Sequence, residues 1–172
     1  MNGRPLLLLT AAALAAAGCA MPGPERAAVN AATIPSSAAA PAVVVTHHDD
    51  GGLLISFSSD AAFDFGSAAL KPSFEPQLVY VAALVMQVGQ GAVSVAAYTD
   101  NVGAADFNEV LSEQRAQRVA AFLITQGVAP ERLVTTGWGA QQPRATNATA
   151  AGRRLNRRIE LLANPGVQQP LQ

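Results

Sequence analysis

Cysteine is almost absent from this sequence: Cys19 is the single one in 172 residues. A lone cysteine excludes an internal disulfide and a thiolate metal cluster. Histidine is nearly as scarce, with only His47 and His48. A structural zinc site usually takes four ligands, so no bound metal is expected. Charged residues make up 13% of the chain, and the formal net charge is -1. That balance calls for neither nucleic acid nor an anionic surface as partner. The longest apolar run is Leu6–Ala17, 12 residues, against the roughly 20 that a membrane-crossing helix needs. There is no Gly-x-Ser-x-Gly elbow and no His-x-x-Glu zinc pair. A carboxylate pair is open in principle, but Asp64 and Asp100 have another explanation, given below. The expectation is therefore a protein that is not an enzyme and takes no cofactor.

What is present begins with Arg4 and the apolar run, which has the length of a signal-peptide core. It ends in Ala16-Ala17-Gly18-Cys19, small residues directly before the cysteine. This resembles the lipobox of bacterial lipoproteins. The resemblance implies cleavage after residue 18, lipidation of Cys19 and attachment to outer-membrane lipid. Two or three acyl chains anchor stably where one does not. Ala16 departs from the leucine preferred there, and an ordinary cleaved signal peptide is the alternative. Ala20, rather than Asp, implies sorting to the outer membrane.

Residues 19–52 read as a disordered linker rich in Ala, Pro and Ser, with Val43-Val44-Val45 as a possible short strand. The folded domain is expected over residues 53–163, about 110 residues, a normal size for one core. Leu53–Ser59, Ala92–Tyr98, Arg132–Gly137 and Arg157–Leu162 read as strands. Pro72–Val88 reads as a helix with Leu78, Val81, Ala82 and Val85 on its apolar face. Ala104–Gln126 reads as a second, with Phe107, Val110, Leu111, Val119, Phe122 and Leu123 as its stripe. Gly139–Gly152 reads as a polar loop, and residues 164–172 as a flexible tail. The order β-α-β-α-β-β predicts an α/β sandwich, a mixed sheet with helices packed on one face.

Five blocks then stand out in order. They are Phe63-Asp-Phe-Gly-Ser-Ala-Ala-Leu70, Ala97-Tyr-Thr-Asp-Asn-Val-Gly103, Asn108-Glu-Val-Leu-Ser-Glu-Gln-Arg-Ala116, Gly137-Trp-Gly139 with Pro143, and Gly152-Arg-Arg-Leu-Asn-Arg-Arg158. The series resembles the outer membrane protein A-like (OmpA-like) domain family, of the peptidoglycan-associated lipoprotein (Pal) type. That family also includes the periplasmic parts of flagellar stator proteins. Ala97 departs from the family's usual glycine.

The resemblance implies a periplasmic domain that binds the meso-diaminopimelate stem peptide of peptidoglycan. The free end of that residue carries an ammonium and a carboxylate on one carbon. Asp100 would accept the ammonium, and Arg115 would fork onto the carboxylate. Asn108 and Arg157 are expected to line the pocket, with Thr99, Asp64 and Phe65 contributing through backbone atoms. Taken singly, Asp100 is also ordinary turn chemistry, and Arg153, Arg154, Arg157 and Arg158 are a solvated basic edge. A straight helix from Ala104 carries Arg115 about 15 Å along its axis. A break near Asn108–Ser112 is therefore expected, with Ser112 as a new N-cap. The implied role is a tether between outer membrane and wall, supporting envelope integrity. The alternative is a Tol–Pal-type module that recruits a TolB-like periplasmic protein.

Overall fold

The computed structural model describes residues 43–166. The signal segment, Cys19, the linker to residue 42 and residues 167–172 of the tail lie outside the described residues. Five strands form one sheet: β1 (Val43–His47), β2 (Leu53–Ser58), β3 (Val93–Tyr98), β4 (Leu133–Gly137) and β5 (Arg158–Ala163). Their spatial order is β1-β2-β5-β3-β4. β3 and β4 run parallel, and the other neighbours are antiparallel. The sheet is mixed, as the sequence predicts. It begins ten residues before Leu53, because the short strand suggested by Val43-Val44-Val45 forms as Val43–His47 and pairs with Leu53–Phe57 of β2. Val43 and Val45 pack on the core, whereas Val44 is exposed.

Alternation on the strands separates two faces. Leu53, Ile55 and Phe57 of β2, Val93, Val95 and Ala97 of β3, and Ile159, Leu161 and Ala163 of β5 all turn inward. Residues between them, such as Ser56, Ser94 and Glu160, are half-buried on the other face. Two helices cover the inner face: α2 (Glu75–Val88) and α3 (Ala105–Thr125). A short α1 (Ser59–Ala62) follows β2, and α4 (Ala150–Asn156) precedes β5.

Pro72 opens a 3₁₀ turn before α2, and Pro76 sits in the first turn of α2 itself. Both are positions where a missing N–H is harmless. Leu78, Val81, Ala82 and Val85 are the buried face of α2. Each large apolar side chain buried this way contributes about 1.5–3 kcal/mol.

α3 is one unbroken helix of 21 residues, contrary to the expected break. Its buried positions, Asn108, Leu111, Ser112, Arg115, Ala116, Val119, Ala120 and Leu123, recur at helical spacing along its length. Nothing in that stripe interrupts the backbone ladder. Ser112 is not a cap: its hydroxyl donates to the Glu109 carbonyl and accepts from the Gly139 N–H. Phe107 and Val110 are exposed rather than part of the stripe. α3 lies tight on β4, where a Cβ at Gly137 would fall on the backbone of Glu113. The Glu113 carboxylate accepts the Gly137 N–H at 2.6 Å.

The segment read as a polar loop contains α4. Thr149 caps it, accepting from the Gly152 N–H at 3.0 Å. Asn156, wholly buried, holds the preceding loop through both directions of bonding to Ala145 and a bond to Asn147. Arg157 therefore sits at the end of a helix and not on a strand.

Candidate functional site: a charged cluster at one end of the sheet

Strand register assembles the site. Ser58 of β2, Arg158 of β5 and Tyr98 of β3 are cross-strand partners. The chain therefore leaves β2 into Ser59-Asp60, leaves β3 into Thr99-Asp100 and enters β5 through Arg157 at the same end of the sheet. Three charged residues remote in sequence meet there.

Arg157 lies between two carboxylates. Its Nε and Nη2 donate to Asp60 at 2.6–3.0 Å, and its Nη1 donates to Asp100 Oδ2 at 2.6 Å. The hydrogen bond to Asp60 is the main cause that pushes the Arg157 pKa above its ordinary value; burial opposes it, and the bond to Asp100 adds to it. The main chain repeats the connection, since the Ser59 N–H donates to the Arg157 carbonyl at 3.0 Å.

Asp100 is 8% exposed. Its Oδ1 accepts the Val102 N–H at 3.0 Å, closing a short turn. Gly103, at φ 97°, lets the chain leave that turn in a conformation other residues rarely adopt. Two neighbours fix the loop. The Asn108 amide donates to the Val102 carbonyl at 3.0 Å and the Asp100 carbonyl at 3.4 Å. The Thr99 hydroxyl donates to the Asp100 carbonyl, and the Thr99 N–H donates to the Gly139 carbonyl. Thr99 and Asn108 thus act on the backbone of the loop.

Arg115 reaches a different segment. Its Nε donates to the Ser67 carbonyl at 2.8 Å and its Nη2 to the Asp64 carbonyl at 3.2 Å. The guanidinium lies 5.2 Å from the centroid of the Phe63 ring, within cation–π range. Burial pushes its pKa below the ordinary value; Asp60 pulls it back and Arg157 pushes it further down. Arg115 is thus an electrostatic neighbour of the cluster, yet among the described residues no carboxylate pairs with it.

This geometry adds partners to the expected Asp100 and Arg115. Asp100 and Arg115 do not bind each other directly; Asp100 is paired with Arg157. Arg115 needs no helix break, because its partners are the carbonyls of the loop that the Phe63–Leu70 bridge closes. Asp64 contributes its carbonyl, while its side chain is exposed and 3.7 Å from Lys71. Phe65 stands in solvent at 101% relative exposure. Arg158, expected as solvated edge, is buried 3.7 Å over the Tyr98 ring and bonded to Glu160.

Sequence reasoning missed Asp60. The signal was Ser58 at the end of a strand with Asp60 two residues on, a helix-start pattern that α1 realises: Ser58 Oγ accepts the Asp60 N–H.

The cluster of Asp60, Asp100, Arg115 and Arg157 sums to zero formal charge. It presents carboxylate lone pairs and guanidinium donors within one partly buried surface. Such a surface can accept a cation and donate to an anion at once, with less salt screening than exposed charges suffer.

Residues 62–157, more than half the chain, match the OmpA family. The sequence is 42% identical over 113 residues to the probable lipoprotein YiaD of Escherichia coli K12, covering 66% of this chain and 52% of that one. It is 40% identical over 103 residues to the peptidoglycan-binding protein ArfA of Mycobacterium tuberculosis, covering 60% of this chain and 32% of that one. The chain thus spans about half the length of the first relative and a third of the second. Among solved structures, the cell wall anchor of the T6SS from Pseudomonas aeruginosa superposes with a TM-score of 0.64. It is 33% identical, over 72% of this chain and 87% of that one. The matched segment contains Arg115 and Arg157 as well as Asp100 and begins just after Asp60, and with it the chain belongs to the OmpA family.

Proposed function

We propose that this chain is a non-catalytic lipoprotein that tethers the outer membrane to the cell wall. Cys19 carries the lipid, and the domain beyond the linker lies in the periplasm. There it binds the diaminopimelate-containing stem peptide of peptidoglycan. The relatives support the wall as partner: one is named a peptidoglycan-binding protein, another a cell wall anchor. The lipoprotein relative supports the anchor.

The observation that carries the reading is the neutral cluster of two aspartates and two arginines at one end of the sheet. A residue bearing an ammonium and a carboxylate on one carbon suits it, since Asp100 faces the one charge and Arg115 the other. Asp100 keeps lone pairs for the ammonium, since each of its oxygens accepts a single bond. Arg115 has spare N–H donors beyond the two bound to carbonyls and takes the carboxylate. Arg157 lines the pocket between them. Asn108 and Thr99 hold the Asp100 loop, and the carbonyl of Asp64 seats Arg115 beside the exposed Phe65.

Sedimentation with purified sacculi tests the proposal. The wild-type protein pellets with the wall, and Asp100→Ala with Arg115→Ala stays in the supernatant. Retained pelleting by the double variant sinks the site. Release of soluble muropeptides by the pure protein sinks the non-catalytic reading. Labelling of Cys19 with a fatty-acid analogue in cells, and its loss in Cys19→Ser, tests the anchor.

A second reading, recruitment of a TolB-like periplasmic protein, draws on the exposed Phe107 and Val110 of α3. Co-purification that fails after Phe107→Ser with Val110→Ser, while wall binding persists, separates the two.

A further inference from the structure

Asp60 is the charged member of the cluster to which the binding scheme above gives no task. We propose that Asp60 is a positioning residue: it occupies the fork of Arg157 and so keeps Asp100 open to the ammonium of the ligand. This rests on the reading of the cluster as the stem-peptide site.

The bond pattern carries the inference. A guanidinium meets a carboxylate best with two parallel N–H donors. Arg157 gives that fork, Nε with Nη2, to Asp60 and only Nη1 to Asp100. Asp100 therefore receives one guanidinium bond and one backbone N–H, and both oxygens retain acceptor capacity. Without a carboxylate at position 60, the same fork is free to swing onto Asp100. There it competes with a ligand ammonium for the same lone pairs.

Asp60 is itself held for the task. Its N–H donates to Ser58 Oγ, and its carbonyl accepts Lys71 Nζ at 2.8 Å. The adjoining Ser59 N–H donates to the Arg157 carbonyl. The Asp60 side chain is about half exposed. The pair therefore adds little to stability, and its effect falls on the orientation of Arg157.

Charge gives the same direction. With Asp60 the four groups are neutral and suit a zwitterion. Without it the cluster carries one excess positive charge, which disfavours an ammonium and favours a bare carboxylate. Asp60 thereby sets a preference for a free amine next to the bound carboxylate.

The test compares two probes on the purified chain: a stem tripeptide ending in meso-diaminopimelate, and the same peptide with the amine at the free end of its diaminopimelate acetylated. Asp60→Asn, nearly isosteric, is expected to lower the ratio of affinities, free amine to acetylated, by roughly tenfold, the scale of one charge-assisted contact. Asp60→Glu restores most of the ratio. Both variants melt near the wild-type temperature. An unchanged ratio in Asp60→Asn overturns the inference, whether both affinities fall together or neither moves. So does Asp60→Glu behaving like Asp60→Asn. If Asp100→Ala with Arg115→Ala still binds the free-amine peptide, the underlying site reading fails instead, whatever Asp60 does.

Discussion

Arg115 and Arg132 are bonded almost identically and serve opposite ends of the molecule. Each is buried, 5% and 7% exposed. Each donates Nε and Nη2 to two backbone carbonyls distant in sequence. Arg115 joins Ser67 and Asp64. Arg132 joins Gly91 at 2.9 Å and Val85 at 3.2 Å. Arg132 lies before β4, beside the start of β3, and closes the last turn of α2, where a cation suits the helix dipole. Arg115 lies by the far end of β3, with Asp60 and Arg157 as electrostatic neighbours. A buried arginine seated on carbonyls is therefore not by itself a sign of a binding site. The company of other charges makes the difference, and that company is set by strand register.

The comparison breaks most visibly in stability. Arg132→Met is expected to cost about 3 kcal/mol in urea unfolding, since two inward-facing carbonyls lose a charged donor. Wall binding per folded molecule stays at the wild-type level. If binding falls as well, the two ends are coupled and the division of labour is wrong. Arg115→Lys is the converse. It keeps the charge but loses the planar fork, and a roughly tenfold weaker affinity for the stem tripeptide is expected, about 1.4 kcal/mol. Asn108→Ala sharpens the account of the Asp100 loop. Losing the amide is expected to cost about 1 kcal/mol and to speed hydrogen exchange at the Val102 amide. Phe65→Ala is the smallest change: the ring touches solvent, so the melting temperature stays where it is, and any effect appears only in binding.

Elements that bury a continuous apolar face were readable from the chain. Leu78, Val81, Ala82 and Val85 gave α2, and the alternation of Leu53, Ile55 and Phe57 gave β2. What failed has physical causes. Phe107 and Val110 entered the apparent stripe of α3 because a count of apolar residues overlooks buried polar ones. The actual stripe runs through Asn108, Ser112 and Arg115. The expected break in α3 came from assuming that Arg115 must reach Asp100, when its partners are carbonyls of the 64–67 segment. β1 was legible in Val43-Val44-Val45 but not as part of the domain, because an edge strand with only two inward residues leaves a weak pattern. α4 was obscured because Asn147, Thr149 and Gly152 look like turn chemistry until the tertiary role of Asn156 is known. For the candidate site, Asp100, Arg115, Asn108 and Arg157 could be proposed from their ordered blocks. Their wiring was not, because the pairing of Asp100 with Arg157 and the part of Asp60 depend on which strands are neighbours.

β1 runs so that Val43 pairs with Phe57, at the end of the sheet where the charged cluster lies, while His47 pairs with Leu53 at the other. If the proposed tether holds the wall at Asp100 and Arg115, a pull on the chain preceding Val43 would load adjacent ends of β1 and β2. In that geometry the ladder bonds open one after another, as in a zipper, instead of sharing the load in shear. Peeling five residues releases about 17 Å of slack and lifts Val43 and Val45 off the core. In the proposed tether β1 is thus the element placed to yield under tension, and its peeling lengthens the connection while β2 keeps its pairing with β5.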